Sequence, residues 1–303
     1  MVISQQPAVE VQHLYKSYTG KEAVKDISFS VEPGELLGII GPNGAGKSTT
    51  IKIILDFMKP DSGEVALFSQ PMSEEIKNRI GYLPEAKGLY KDLTVIDCIL
   101  YLASLKGLNK TTAKKRADEL LQHTGMLDSK KKKIKHLSKG MGQMIQFIVT
   151  IIHEPELLIM DEPFSGLDPV NTELMKNMVS NMRDEGKTII LSTHQMNQVE
   201  ELCDQVLMIN KGEEVLYGDL REIKSKFKKH SVQVSVEGEF GDLPGVTEKR
   251  IDKDGLVLVL AEDTSPQNVL DQLRNQGVVV NRFEITTPSL HTIFLQMVGG
   301  SNE

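Results

Sequence analysis

The sequence predicts an α/β protein: a parallel-sheet core entered through an antiparallel sheet and interrupted by a helical insert, then a small C-terminal α+β domain. Three observations carry this. Residues 36–40, 157–160 and 188–191 are short, near-continuous apolar runs, as strands buried on both faces require. Residues from about 93 to 152 carry a helical pattern with lysine-rich interruptions, within a helical insert placed at about 86–152. Past Tyr217 the composition shifts toward lysine and then toward acidic residues. At 303 residues the chain is long enough for two units. We place the core at residues 1–225 and the accessory domain at 226–303.

Taken in order, Val9, Val11, Ile27, Phe29 and Val31 recur at alternate places, the period of half-buried strands, and give the antiparallel sheet. The apolar run 36–40 leads straight into Gly41. Residues 47–58 follow as a predicted helix, with Ile51, Ile54, Leu55 and Met58 along one face. The insert is broken by Lys114-Lys115-Arg116 and by the lysines at 130–133. Lys224, Lys226, Lys228 and Lys229 mark a charged linker, and a new unit begins near His230. There Val232, Val234 and Val236 alternate, Asp254-Gly255 breaks before 256–260, and 278–285 makes a third extended run. One helix is expected behind Ser265 as cap with Pro266 at its first position, and another carries Leu290, Ile293, Phe294 and Met297.

Hydrophobic residues at 40% and charged residues at 25% describe an ordinary globular chain and exclude disorder and collagen-like structure. The formal net charge is −7, and the first 230 residues carry 30 basic and 31 acidic side chains against 5 and 11 in the rest. A nucleic-acid binder would show a basic excess at the level of the whole domain, so no nucleic-acid partner is expected. Cys98 and Cys203 have no metal-ligand spacing and read as reduced thiols. The start, Met-Val-Ile-Ser-Gln-Gln, lacks the charge and apolar run of an export signal. The most apolar stretch, 144–160, is interrupted by Gln146, His153, Glu154, Pro155 and Glu156, short of the ~20 apolar residues a membrane span needs.

Gly41-Pro42-Asn43-Gly44-Ala45-Gly46-Lys47-Ser48 fits G-x-x-x-x-G-K-[ST] and lies between a buried strand and a helix, the context that motif requires. This makes the core a P-loop NTPase. Glycines let successive backbone N–H groups turn toward phosphate oxygens, and the helix N-terminus adds partial positive charge. The segment through Thr49 is the expected ATP-binding loop, with Lys47 on the β- and γ-phosphates and Ser48 on Mg²⁺. Residues 157–162 form an apolar strand ending in Asp161 and Glu162. Asp161 is placed for the metal, and Glu162 for orienting and deprotonating the attacking water.

Leu137-Ser138-Lys139-Gly140-Met141 before that strand, Ser165-Gly166-Leu167-Asp168 after it, and His194 beyond make the resemblance specific. The set and its order resemble the ATP-binding subunit of ABC transporters, over residues 8 to about 218. The resemblance implies a homodimer in which Ser138, Gly140 and Asp168 of each copy close over the other's ATP. Ser138 also reads as an ordinary N-cap. His194 resembles the family's switch histidine at the γ-phosphate. Tyr18 resembles the aromatic that stacks on adenine, although packing beside the sheet would also explain it. Glu85, in Gly81-Tyr82-Leu83-Pro84-Glu85, stands where most of the family has glutamine, and a carboxylate accepts hydrogen bonds but donates none. Lys139 and Met141 replace the family's first glycine and its glutamine.

The closing Thr287-Pro288-Ser289-Leu290-His291-Thr292-Ile293-Phe294 is similar to the end of exporter-type subunits of the sodium-efflux and drug-efflux (ABC-2) branch. Dimer contact or simple cover are the alternative roles for this tail. The resemblance implies an ATPase, with ATP and Mg²⁺ as cofactors, that powers a separate integral membrane permease for export of a sodium ion or drug-like cargo. It would sit in the cytoplasm, held at the inner face of the cell membrane through the permease. In the family, the region corresponding to 86–105 receives a short permease helix. Here Leu89 and Tyr90 are the candidates for that contact, with burial inside the insert as the alternative. A soluble ABC-type clamp acting on ribosomes or DNA is the competing class. Such clamps carry two nucleotide domains or long coiled coils, and this chain has one phosphate loop and no heptad array.

Overall fold

Strand β1 (Val9–Tyr18) runs antiparallel to β2 (Lys21–Val31) on one side and to β4 (Ser62–Leu67) on the other. This is the antiparallel sheet at the chain's entrance. Beyond it lies the parallel set: β3 (Leu36–Ile40) between β8 (Gln205–Asn210) and β7 (Thr188–Thr193), then β6 (Leu157–Asp161) and β5 (Ile80–Leu83). With β9 (Glu213–Asp219) the order is β4-β1-β2-β9-β8-β3-β7-β6-β5. Every residue of β3, β6 and β7 is buried, which is why these strands read as unbroken apolar runs. The computed structural model describes residues 6–86, 88–227, 231–252, 255–261, 263–286 and 289–299.

Register does the work that matters for the site. Ile40 pairs with Thr193, Asp161 with Ser192, and Leu83 with Met160, so the carboxyl ends of β3, β7, β6 and β5 stand in one row. In parallel α/β sheets, the space outside those ends is where ligands bind.

Helix α1 (Lys47–Ile54) ends before Met58, short of the expected length. The chain closes it with paired backbone bonds, Asp56 N–H to Ile53 O and Phe57 N–H to Lys52 O, both 2.9 Å. Asp56 takes the left-handed conformation, φ 57°, that such a helix stop requires. After α2 (Glu74–Arg79) comes the insert: α3 (Val95–Leu105), α4 (Lys110–His123) and α5 (Lys139–Ile151), which pack on one another. Thr94, Asn109 and Ser138 cap the three helices through their side chains. Helices α6 (Pro169–Asp184) and α7 (Met196–Leu202) connect the last parallel strands, and α7 packs on β3.

The chain divides into compact units at Met1–Tyr217 and Gly218–Glu303, earlier than the boundary at 225 read from the lysines. The reason is local: β9 runs directly into α8 (Leu220–Lys226), capped by Asp219, and α8 groups with the second unit. That unit holds an antiparallel sheet of β10 (Ser231–Glu237), β11 (Val246–Asp252), β12 (Gly255–Leu260) and β13 (Val279–Ile285), in the order β11-β12-β10-β13. Val232, Val234, Leu258 and Leu260 form its core with Val269 and Leu273 of α9 (Pro266–Asn275). Helix α10 (Leu290–Gly299) buries Leu290 and Ile293. Lys228, Lys229 and His230 of the expected linker, Asp254 of the expected turn, and Thr287-Pro288 of the closing motif lie outside the described residues.

One histidine makes this fold sensitive to acid. His153, just past α5, places Nε2 at 3.1 Å from the Ile80 carbonyl oxygen. Because a carbonyl only accepts, Nε2 carries the hydrogen, and the buried Nδ1 has no partner among the described residues. Burial of the ring, with Lys106 and Arg116 nearby, pushes its pKa down to about 4 despite the Ile80 bond. The unfolded chain, with an ordinary value of about 6.5, takes up the proton first. The stabilising contribution is therefore complete above pH 6.5 and is lost as pH falls toward 4. Between pH 7 and pH 5 the native chain should lose about 1–2 kcal/mol more stability than His153→Asn, measured by denaturant unfolding at each pH. Parallel pH profiles for the two proteins would refute this.

Candidate functional site

The loop after β3 is shaped by two glycines. A Cβ on Gly41 would stand 2.1 Å from the Ile209 carbonyl oxygen, and one on Gly46, where φ is 116°, would stand 2.5 Å from that of Ala23. Only glycine lets the loop pass between the end of β8 and the start of β2. The loop then delivers Lys47 to the first position of α1. Its Nζ donates to the Gly41 and Pro42 carbonyl oxygens at 2.8 and 3.2 Å, and the side chain is only 6% exposed. Burial lowers its pKa, and the carboxylates of Glu162, Asp161 and Glu85 oppose that shift. The site thus holds an ammonium in low dielectric with a donor left over for an anion.

At the end of β6, Asp161 is buried and accepts hydrogen bonds from the hydroxyls of Ser48, at 3.2 Å, and of Ser192. The next residue, Glu162, turns out of the strand with φ 50°, a left-handed conformation unusual for a non-glycine residue. Its amide is fixed by the Ser192 carbonyl at 3.0 Å. This turn brings Glu162 Oε1 to 4.0 Å from Lys47 Nζ and to 2.9 Å from His194 Nδ1. His194 leaves the end of β7, one strand over, so register alone places the pair together.

A cleft of about 400 Å³ lies over these groups, lined by Tyr18, Lys21, Ala23, Asn43, Gly44, Ala45, Gly46, Lys47, Ser48, Thr49, Glu85 and Glu162. The structure therefore gathers Tyr18, the loop and both glutamates around one space, with Gly41 and Pro42 beneath as acceptors for Lys47. Tyr18 is 40% exposed, and its hydroxyl donates to the Met58 sulfur at 2.7 Å, which fixes the ring. Ser138, Gly140 and Asp168 are not among the lining residues. Ser138 caps α5 by accepting from Met141 N–H at 3.2 Å, Gly140 backs onto the Gly166 carbonyl, and Asp168 caps α6. Hydrogen bonds from Asn171 hold the Asp168 carboxyl below its usual range.

Five contributors were not read from the sequence. Lys21 and Ala23 line the cleft from β2. Ser192 bonds Asp161 and the Glu162 amide, and its only signal was a polar residue at the end of an apolar strand. Gln143 and Gln146, buried on α5, donate to the carbonyls of Pro163 and Pro84 at 3.0 and 3.1 Å and so tie down the loops bearing Glu162 and Glu85. Their signal was a pair of amides three residues apart on the apolar face of a helix.

The donor set suits a magnesium–nucleotide complex. A glycine cradle with a helix N-terminus and a buried lysine fits phosphates, and one hydroxyl with one carboxylate fits a cation that takes its remaining ligands from phosphate and water. Among the described residues no group of three or more His, Cys, Asp or Glu gathers to hold a metal by protein ligands alone.

Comparison with known proteins finds matches along the chain. A family model described as ABC transporter matches residues 24–165, and one described as ATP-binding protein DrrA1-3-like, C-terminal domain, matches residues 218–298. The chain is similar to the ABC transporter ATP-binding protein YhaQ of Bacillus subtilis (strain 168), 38% identical over 97% of this chain and 99% of that protein. It is also similar to the bacitracin transport ATP-binding protein BcrA of Bacillus licheniformis, 30% identical over 96% of this chain and 97% of that one. Among solved structures, an ATP-binding subunit of an ABC transporter superposes with a TM-score of 0.68 at 32% identity, covering 73% of this chain and 93% of the other.

Ser192 offers a direct check on the site. Removing its hydroxyl by Ser192→Ala leaves the buried Asp161 with Ser48 as its one remaining side-chain donor among the described residues, which should cost about 1–3 kcal/mol of stability without nucleotide. Unchanged unfolding of that variant would show that the bond is not made in solution.

Proposed function

Because the chain belongs to the ABC transporter ATP-binding proteins, we propose that it is the ATP-hydrolysing subunit driving a separate membrane permease, working in export. The observation that carries the hydrolytic part is the placement of Glu162 beside Lys47 at the glycine cradle, with His194 bonded to the same carboxylate. The cradle's backbone N–H groups and Lys47 bind the triphosphate, and Ser48 and Asp161 hold Mg²⁺. Bound there, the metal supplies charge neutralisation on the phosphate oxygens. Glu162 is the base. Its Oε1 accepts from His194 Nδ1, which fixes the carboxylate plane and leaves Oε2 to take the proton from the attacking water. Tyr18 stacks on adenine.

Ser138, Gly140 and Asp168 stand at the start of α5 and in the adjoining loop, outside this chain's own cleft. That position supports their closing over the cleft of a second copy, with the N-terminus of α5 offered to the phosphates. A homodimer then shares two sites.

No helix among the described residues is long and apolar enough to cross a membrane, so the membrane step belongs to the permease. Its contact is the face carrying Tyr90, 49% exposed and packed edge-on against Tyr101 at 5.2 Å, with Leu105 exposed nearby on α3 and Leu89 half-buried beside Tyr90. Exposed aromatic and aliphatic side chains of this kind suit the apolar face of a short helix. The chain sits in the cytoplasm at the inner membrane face through that contact. A sodium ion or a drug-like molecule is the cargo class in keeping with the C-terminal domain.

Replacing Glu162 by Gln keeps the shape and the His194 bond but removes the base. ATP should still bind while hydrolysis falls by roughly 10²–10⁴-fold. Size measurements with ATP should then show a trapped dimer, and a monomer alone would overturn the shared site. Because Tyr90 is an exposed side chain, Tyr90→Ala should cost less than about 1.5 kcal/mol of stability and leave ATPase activity intact. Co-purification with the permease should drop. A large loss of melting temperature with unchanged co-purification would assign Tyr90 to the core instead.

A further inference from the structure

Five of the six residues at 130–135 are lysine, in a chain whose formal net charge is −7. The segment is held in place by its backbone. Val95 N–H bonds the Lys132 carbonyl at 2.9 Å, Ile134 N–H the Leu93 carbonyl at 3.0 Å, and Lys135 N–H the Lys91 carbonyl at 3.0 Å, with a bridge between Thr94 and Lys133. The lysines therefore form a fixed strip along residues 91–96, immediately beside Tyr90. Two of the ammoniums are already paired, Lys130 with Asp118 and Lys135 with Asp92. Lys91, Lys131, Lys132 and Lys133 are exposed and form no ion pair among the described residues, although Lys133 lies near enough to Asp92 to help lower the pKa of its carboxyl.

We propose that this strip is a contact surface for the anionic headgroups of a lipid bilayer. Like charges held at adjacent positions repel, and a rigid backbone prevents them from spreading apart, so a partner carrying diffuse negative charge gains at each position. Lysine is a hydrated point charge on a flexible stem and lacks the planar fork that grips one carboxylate or phosphate in a set geometry. Four such groups match a plane of mobile headgroups better than a single defined anion. The orientation rests on the reading of Tyr90 as the permease contact. A face that receives a permease helix lies under the membrane, and the lysines flanking it then meet the headgroups around that permease.

The test uses the purified full-length chain, without nucleotide or permease, in co-sedimentation with vesicles of phosphatidylcholine alone or of phosphatidylcholine with phosphatidylglycerol. Binding should require phosphatidylglycerol and weaken as salt rises. Replacing Lys131, Lys132 and Lys133 together by Gln should lower vesicle affinity on the order of 10²-fold, with melting temperature and ATPase activity unchanged. Equal binding to both vesicle types, no binding at low salt, or an undiminished triple variant would overturn the proposal. So would a triple variant that binds vesicles normally but loses the detergent-solubilised permease, because the strip would then belong to an acidic protein segment. Failure of the ATPase reading shows separately, in the Glu162→Gln measurement.

Discussion

A lysine ammonium buried to 6% exposure must have partners, and meeting that need at Lys47 organises the rest of the core. Its nearest acceptors are the carbonyls of Gly41 and Pro42, which can turn inward only because the loop passes where a Cβ would collide. Its counter-charges come from β6, two strands from β3. Those carboxylates reach the loop because every strand between them is parallel, in register and buried. A register slip of one residue in β6 would turn Asp161 to the opposite face and strand the ammonium. The apolar runs so plain in the sequence thus set the electrostatics of the cleft.

Helix α5 is the second element on which the arrangement depends. At its N-terminus Ser138 is exposed; within its buried face Gln143 and Gln146 hold the loops after β6 and β5. Thr150 adds a bond to the Tyr82 carbonyl at 3.3 Å. One helix therefore touches the surface proposed to meet another copy, the loop carrying Glu162, and the Glu85 loop that leads to Tyr90. Gln146 Oε1 is buried without a partner among the described residues, an open acceptor at the point where these loops meet. Movement of α5 as a body would be felt at all three places at once.

What could be read from the sequence was whatever a local pattern encodes. The phosphate loop, the Asp161-Glu162 strand end and the helix caps at Ser138 and Ser265 are each complete within a few residues, and their physics is local. The stop of α1 at Ile54 was missed because it depends on Asp56 adopting a left-handed conformation, a role usually given to glycine, while Met58 stays half-buried and so preserves the apolar spacing. Ser192, Gln143 and Gln146 were missed for a different reason. A serine at a strand end or a glutamine on a helix has no meaning until register and packing bring Asp161, Pro163 and Pro84 to it. Tyr18 stood between the two cases: its aromatic character was legible, but the Met58 contact that fixes it spans 40 residues.

The three departures from the family pattern are not equal in physical weight. At Met141 the cap uses the backbone N–H, which any residue but proline supplies, so methionine keeps the helix start and forgoes only the donors of an amide. Lys139 lies with its methylene groups over Gly166, which joins the start of α5 to the loop before Asp168 through apolar contact. Glu85 matters more. It adds a carboxylate to a cleft that already holds Glu162, with Asp161 beneath, against the two ammoniums of Lys21 and Lys47. A glutamine there would leave the carboxylates and ammoniums balanced two against two; the glutamate leaves an excess of negative charge facing the space proposed for the phosphates. Such a cleft disfavours a bare triphosphate and favours one that arrives with its own divalent cation. Under the proposed function, the substitution would tie nucleotide binding to the metal through charge balance, in addition to the coordination proposed for Ser48 and Asp161.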